Sequence, residues 1–148
     1  MNALFELVGS TISKEEYDVL LKNGTDFSNY SCVEELPRYI GGGHYVKLTP
    51  LYGTTAIKEF LNKIKFAKIA FESNFDEFEE FFLPSNRTEE QEKDFINFLD
   101  REYDNDYGVQ HLFGFIVFKD NSWQERHEYD GSEWWETKVV PKEEDYKP

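Results

Sequence analysis

The sequence predicts an α+β domain in which an antiparallel meander of at least three C-terminal strands packs with two or three amphipathic helices. Residues 112–118 are strongly apolar, and two alternating runs follow them, joined by the turn signal Asp130-Gly131. Upstream segments repeat apolar residues at helical spacing. A chain of 148 residues fits one domain, predicted over residues 1–141, with a polar tail at 142–148.

The composition indicates a folded chain. Aromatic residues make up 18% of the sequence, and disordered chains are poor in them. Cys32 is the only cysteine, which excludes an intrachain disulfide and suits a reducing compartment. No run approaches the roughly 20 apolar residues of a membrane span, and no basic leader opens the chain. We therefore expect a cytoplasmic protein.

The N-terminal half mixes helix and strand signals. Ser13 and Glu16 form a capping box ahead of a short helix. Residues 25–43 look irregular, residues 44–49 read as a strand, and Leu4–Val8 could be either strand or helix. A clear helix starts near Thr54 or Thr55, and its tail at residues 65–71 also reads as a buried strand.

Residues 72–106 hold most of the net charge of −14, because they carry thirteen acids against three bases. Apolar spacing predicts two helices there. The first has Phe75, Phe78 and Phe82 on one face; the second opens at Thr88 and has the stripe Phe95, Leu99 and Tyr103. The acids predicted to project outward are Asp76, Glu77, Glu80, Glu90, Asp94 and Asp100.

This charge favours a basic protein partner. Nucleic acid and anionic membranes would repel the chain, so we expect no direct binding to either. Carboxylates repeated at i, i+4 lie about 5–6 Å apart, a spacing comparable to that of nucleic-acid phosphates. The acids could therefore steer the protein onto a nucleic-acid-binding surface. A solvated helix face that serves only solubility is the alternative.

The C-terminal hairpin is the other candidate interface. In a strand, Trp134 and Trp135 must face opposite sides, so one belongs to the core and the other is exposed unless the helices cover that face as well. An exposed Trp beside Tyr129 would be a suitable protein-binding anchor. The sequence leaves open whether the acidic helices or this hairpin form the interface.

Catalytic and metal-binding patterns are weak. His44, His111 and His127 are distant in sequence, and Asp104-Asn105-Asp106 does not match a calcium loop. Glycines 41–43 lack the frame of a phosphate-binding loop. We therefore predict no enzyme, no metal and no cofactor. A metal-dependent phosphoryl-transfer enzyme that uses carboxylates with His111 or His127 is the alternative.

The run Glu125 to Glu136, ERHEYDGSEWWE, resembles a C-terminal block, ERxEYDGSEWWE, of small uncharacterised bacteriophage and mobile-element proteins. The resemblance implies a phage-like protein that acts on a host component. Small acidic proteins of that sort include DNA mimics and inhibitors of host nucleases or defence systems. The hypothesis is a non-enzymatic, acidic protein-binding inhibitor, with an immunity protein against a nuclease toxin as an alternative.

Overall fold

The chain divides into two compact units. Residues 2–60 and 96–102 make up the three-stranded unit, and residues 61–95 and 103–148 belong to the five-stranded unit. The computed structural model describes residues 2–35, 45–73, 77–103, 110–129, 132–141 and 143–146. Outside these ranges lie the predictions for His44, Phe75, Asp76, residues 41–43, 104–106 and 130–131.

The three-stranded unit contains a sheet with the antiparallel order β1-β3-β2. Its elements are α1 (Ala3–Val8), β1 (Ser10–Ser13), α2 (Lys14–Lys22), β2 (Tyr30–Glu35), β3 (Tyr45–Pro50) and most of α3 (Thr55–Lys63). The predicted cap is confirmed, because the Ser13 hydroxyl accepts a hydrogen bond from the Glu16 amide at 3.1 Å. Leu4–Val8 belongs to a helix, α1, which settles the open alternative.

The prediction that residues 25–43 are irregular is wrong for Tyr30–Glu35, which form β2. This strand pairs with β3 through a register shift between Tyr30 and Cys32. Such an irregularity interrupts the two-residue alternation by which a strand is recognised in sequence. Long-range pairing with β3, rather than local pattern, defines the strand.

The five-stranded unit is an antiparallel sheet with the order β5-β4-β6-β7-β8. Its strands are β4 (Ile64–Glu72), β5 (Phe78–Leu83), β6 (Leu112–Phe118), β7 (Ser122–Tyr129) and β8 (Ser132–Val139). Helix α4 (Glu89–Leu99) follows β5, and a 3-10 turn (Glu143–Tyr146) falls within the predicted tail. The α+β class and the C-terminal meander are confirmed. No helix in the described ranges is long and apolar enough to cross a membrane.

Helix α4 begins where the sequence predicts. The Thr88 hydroxyl accepts from the Gln91 amide at 3.2 Å, and the Gln91 side chain accepts from the Thr88 amide at 2.9 Å. These two bonds satisfy amides that the first turn cannot pair internally. Phe95 and Leu99 are fully buried, whereas Tyr103 lies beyond the end of the helix.

The helix predicted around Phe75, Phe78 and Phe82 is wrong, because Phe78–Leu83 form strand β5. Six residues of β5 pair with β4, from Ala67↔Leu83 to Glu72↔Phe78. Phe78 and Phe82 are four residues apart, which places them on one face of a helix and equally on one face of a strand. The spacing therefore could not decide between the two, and the pairing with β4 does.

Gly114 marks a close approach between the neighbouring strands β4 and β6. Its φ is +115°, and a Cβ atom there would lie 2.1 Å from the Lys68 carbonyl oxygen and 2.9 Å from the Ile69 Cα. Both obstructing atoms are backbone atoms, so no side-chain rotation can relieve the clash.

We predict that Gly114→Ala lowers the free energy of unfolding by about 2 kcal/mol or more, through the clash added to the strained φ. Gly53→Ala is the matched control, because its φ is +97° but nothing lies within 4 Å of a Cβ. Gly53→Ala should lower the free energy of unfolding by about 1 kcal/mol. Chemical denaturation of both variants measures the difference, and equal losses would contradict the close approach.

Candidate functional site: the outer face of the five-stranded sheet

The register of the five-stranded sheet separates its residues into two faces. Ala67, Ile69, Leu83, Leu112 and Ile116 share one face, and each is fully buried. Helix α4 covers that face, because the Phe95 ring lies 6.0 Å from the Phe81 ring. The opposite face, called here the outer face, carries Phe66, Lys68, Ala70, Glu72, Phe78, Glu80, Phe82, Phe113, Phe115, Val117, Trp123, Glu125, His127, Trp134, Glu136 and Lys138.

Aromatic side chains dominate the outer face. Phe78 and Phe82 are each 58% exposed, and Phe66, Phe113 and Phe115 are half-buried. The Phe66 and Phe115 rings meet edge to face at 6.1 Å. Aromatic residues of this exposure are costly to leave in water, and exposed apolar patches commonly mark interaction sites. This face is therefore the strongest candidate functional surface in the described part of the chain.

At the β7–β8 end of the outer face, charges are paired with one another. Lys138 Nζ lies 3.0 Å from Glu125 Oε2, and His127 Nε2 lies 3.2 Å from the same oxygen. His127 also lies 3.1 Å from Glu136, and its ring stacks on Trp134 with centroids 6.2 Å apart. The Lys138 hydrogen bond is the main cause that lowers the pKa of Glu125, and the same bond raises the pKa of Lys138.

A buried ion pair lies on the other side of these strands. The Arg126 guanidinium donates to Glu133 Oε1 at 2.8 Å, and both side chains are 0% exposed. The same oxygen accepts from the Tyr103 hydroxyl at 3.2 Å and from the Leu112 amide at 3.0 Å, while Oε2 accepts from the His111 amide at 2.7 Å. Glu133 on β8 therefore reaches across β7 to hold the start of β6.

The short pairing between β6 and β7 explains why Glu133 contacts the start of β6. β6 and β7 pair only over Phe115–Val117, opposite Trp123–Glu125. The two strands part before His111 and Leu112, whose amides need another acceptor. The Glu133 carboxylate supplies it, and the Arg126 guanidinium compensates the buried charge. The arrangement therefore ties the start of β6 to β8 at the end where β6 and β7 do not pair.

The structure separates the acids that the sequence grouped together. Glu77 and Glu80 are exposed at β5, with Glu80 on the outer face, whereas exposed Glu90 and Asp94 lie on α4 beyond the opposite face. They do not form one continuous row. Asp100 accepts a hydrogen bond from Asn2 at 2.8 Å, so it also has a structural role within the three-stranded unit.

The hairpin residues lie as their strand alternation predicts. Trp134 is 38% exposed on the outer face, whereas Trp135 points to the other side, 4.8 Å beneath the Arg126 guanidinium. Tyr129 is 77% exposed at the end of β7. Sequence reasoning did not identify Phe113 and Phe115 as surface residues, although their alternation around Gly114 is a signal that they share a face.

A concave region lies elsewhere in the same unit. It is a cavity of about 510 Å³ lined by Asn62, Lys63, Phe118, Lys119, Asp120, Ser122, Gln124 and Thr137. Several of its polar groups bond one another: Gln124 donates to Thr137 at 2.8 Å, and the Ser122 hydroxyl bonds to Asp120. That bond is the main cause that lowers the pKa of Asp120. Because these groups are satisfied internally, the outer face is the better candidate.

We predict that Glu133→Ala lowers the free energy of unfolding by about 3–5 kcal/mol, because it leaves the buried Arg126 guanidinium without its carboxylate. Glu136→Ala is the matched control on the same strand, with a side chain that is 43% exposed. It should change stability by about 1 kcal/mol or less. Denaturant titration measures both, and similar losses would show that the buried pair does not hold the strands.

We predict that Lys138→Met raises the pKa of Glu125 toward its ordinary value, because it removes the largest cause of the lowering. A carboxyl whose pKa is lowered by folding stabilises the fold above its unfolded pKa, and this contribution disappears as the pH falls through the folded pKa. Carboxyl-carbon NMR titration measures the shift. Lys68→Met on the same face should leave the Glu125 titration unchanged.

Among the described residues, no three His, Cys, Asp or Glu side chains are placed to hold a metal ion. His111 is buried, with its Nδ1 atom 2.7 Å from the Glu72 carbonyl oxygen, and His127 is engaged with two carboxylates. The alternative of a phosphoryl-transfer enzyme stays a prediction. Neither a family model, nor a curated protein, nor a solved structure matches this chain.

Proposed function

We propose that the protein is a non-enzymatic binding module that occupies the basic, nucleic-acid-binding surface of a partner protein and inhibits that partner. The observation that carries this proposal is the concentration of exposed carboxylates in the five-stranded unit. That unit has twenty acids and ten bases, a net of −10 out of the total of −14.

The placement of the cations supports the proposal. Both arginines of this unit are turned inward: Arg126 binds Glu133, and half-buried Arg87 donates to the carbonyl oxygens of Leu61 at 2.8 Å and Ile64 at 3.0 Å. Arg87 also pairs with Glu92 at 3.1 Å. These cations join elements within the fold. The carboxylates of Glu77, Glu80, Glu90 and Asp94 are exposed at the surface.

The excess of exposed carboxylates on the five-stranded unit affects association with a partner more than it affects stability. Like charges held close together destabilise a compact fold, so a negative surface of this density costs free energy. In return it attracts a basic partner over about 10 Å at moderate ionic strength and disfavours acidic competitors. A host nuclease or defence protein with a basic nucleic-acid channel is the partner class that this chemistry fits. A nuclease toxin neutralised by an immunity protein would present the same surface.

We predict that immobilised protein captures basic nucleic-acid-binding proteins from a bacterial lysate, and that these proteins elute as salt rises or as duplex DNA is added. The variant Glu77→Gln/Glu80→Gln/Glu90→Gln/Asp94→Asn should lose most of this capture. These carboxylates steer the partner and pair with it. The affinity for the captured proteins should therefore fall more than tenfold, which corresponds to about 1.4 kcal/mol.

The control removes the same number of charges from the three-stranded unit, through Glu15→Gln/Glu16→Gln/Asp18→Asn/Glu59→Gln, all of them exposed positions. It should retain most of the capture. If both variants lose capture equally, net charge alone is responsible. If captured proteins resist both salt and DNA, the proposed occupation of a nucleic-acid-binding surface is wrong.

A further inference from the structure

We infer that the β5 end of the outer face binds an arginine side chain from a flexible, arginine-rich segment of a protein partner. The inference rests on the proposed function in one respect, because it takes the partner to be basic. It goes further by assigning a place on the surface and a particular cation. The juxtaposition that carries it is an exposed carboxylate between two exposed phenylalanines, beside an alanine.

The register defines a shallow depression above Ala70. Glu80 on β5, Ala70 on β4 and Phe113 on β6 are directly paired across three adjacent strands. Neighbouring strands lie about 4.8 Å apart, so a small side chain between two larger ones leaves space above the sheet. Ala70 is the half-buried floor, exposed Glu80 forms one wall, and half-buried Phe113 forms the other.

The residues two positions before and after Ala70 and Glu80 on their strands, about 7 Å away, form the two ends of the depression. At one end Phe78 on β5 pairs with Glu72 on β4, and at the other Phe82 pairs with Lys68. Glu72 and Glu80 are both exposed and border the same corner as Phe78. Lys68 makes the opposite corner less favourable for a cation, so the ligand should lie toward Glu72.

This arrangement fits a guanidinium better than an ammonium. A guanidinium is planar, forms paired hydrogen bonds with a carboxylate, and stacks on aromatic rings. An ammonium is compact and strongly hydrated, so it gains less from exposed rings. Glu80 offers the carboxylate, and Phe78, Phe82 and Phe113 offer ring faces or edges within one depression. At the β7–β8 end, in contrast, Lys138 and His127 already engage the carboxylates.

Other occupants fit less well. A second copy of the chain would bring another charge of −14 to a surface that is itself acidic. Nucleic acid would be repelled for the same reason. A purely apolar peptide would cover the rings but would bury Glu72 and Glu80 without a partner, which is costly. A cationic segment with planar groups satisfies both the rings and the carboxylates.

The test compares two short peptides of equal length and charge, one alternating Arg and Ser and the other Lys and Ser. Isothermal titration calorimetry at low salt should show the Arg peptide binding about tenfold more tightly. Amide NMR shifts should centre on Ala70 and Glu80. Phe78→Leu/Phe82→Leu keeps apolar area but removes two of the three rings, and it should reduce the preference for Arg. Ala70→Leu should fill the depression and weaken binding of the Arg peptide.

Val19→Ser/Leu21→Ser is the matched control, because these side chains are exposed by 56% and 47% in the other unit. It should preserve the preference for Arg. Equal affinity for the two peptides, or a preference that is undiminished in the Phe variant, would overturn the inference but leave the proposed function standing. If neither peptide binds at low salt, the result counts against both the inference and the proposed function. Self-association through β5, detected by sedimentation, would also overturn the inference.

Discussion

The bond between buried Glu133 and Arg126 is the contact on which the five-stranded unit depends. Strands β6 and β7 pair over only three residues, so backbone hydrogen bonds alone hold the meander together weakly at its open end. One carboxylate closes that end by accepting from two backbone amides, a tyrosine hydroxyl and a guanidinium. A hydrophobic residue at the same position could not satisfy those amides. Their need for an acceptor explains a buried acid in a chain that already carries excess negative charge.

The contact between Glu133 and Arg126 also determines which side chains of β7 and β8 reach the outer face. Alternation along β7 and β8 sends Arg126, Glu133 and Trp135 inward, and it sends Glu125, His127 and Trp134 outward. Successive side chains of a strand point to opposite faces. Holding the inward side chains in place therefore also holds the outward side chains in place. The register of the hairpin thus determines the shape of the outer face at this end. Gly114 does the same at its centre, by allowing β6 to lie close against β4.

Much of the fold follows from local sequence, and the exceptions have a common cause. The apolar run of β6 and the caps at Ser13 and Thr88 are local features, and each predicts its element correctly. β2 and β5 are different, because pairing with a neighbouring strand defines them. Phe78 and Phe82 satisfy helical and strand spacing together, so only the pairing with β4 decides between them.

The candidate site was harder to foresee for a related reason. Sequence shows that acids cluster in residues 72–106, but it cannot show on which face of a sheet each one lies until the strands are known. With β5 in place, Glu80 joins the phenylalanines, while Glu90 and Asp94 lie beyond the opposite face. The depression above Ala70 depends on the pairing of β4 with β6, which is distant from it in sequence. No local pattern contains that information.

Strand β5 ends the strand order of its sheet, and adjacent Glu79 and Glu80 occupy its middle. An edge strand with exposed phenylalanines would ordinarily be a template for amyloid-like stacking of identical chains. Two carboxylates in six residues make in-register stacking of copies repulsive, since each Glu would meet its own counterpart in the next chain. The acids of β5 therefore act as gatekeepers against self-assembly. Their charges oppose stacking of copies at the same strand that leaves Phe78 and Phe82 exposed.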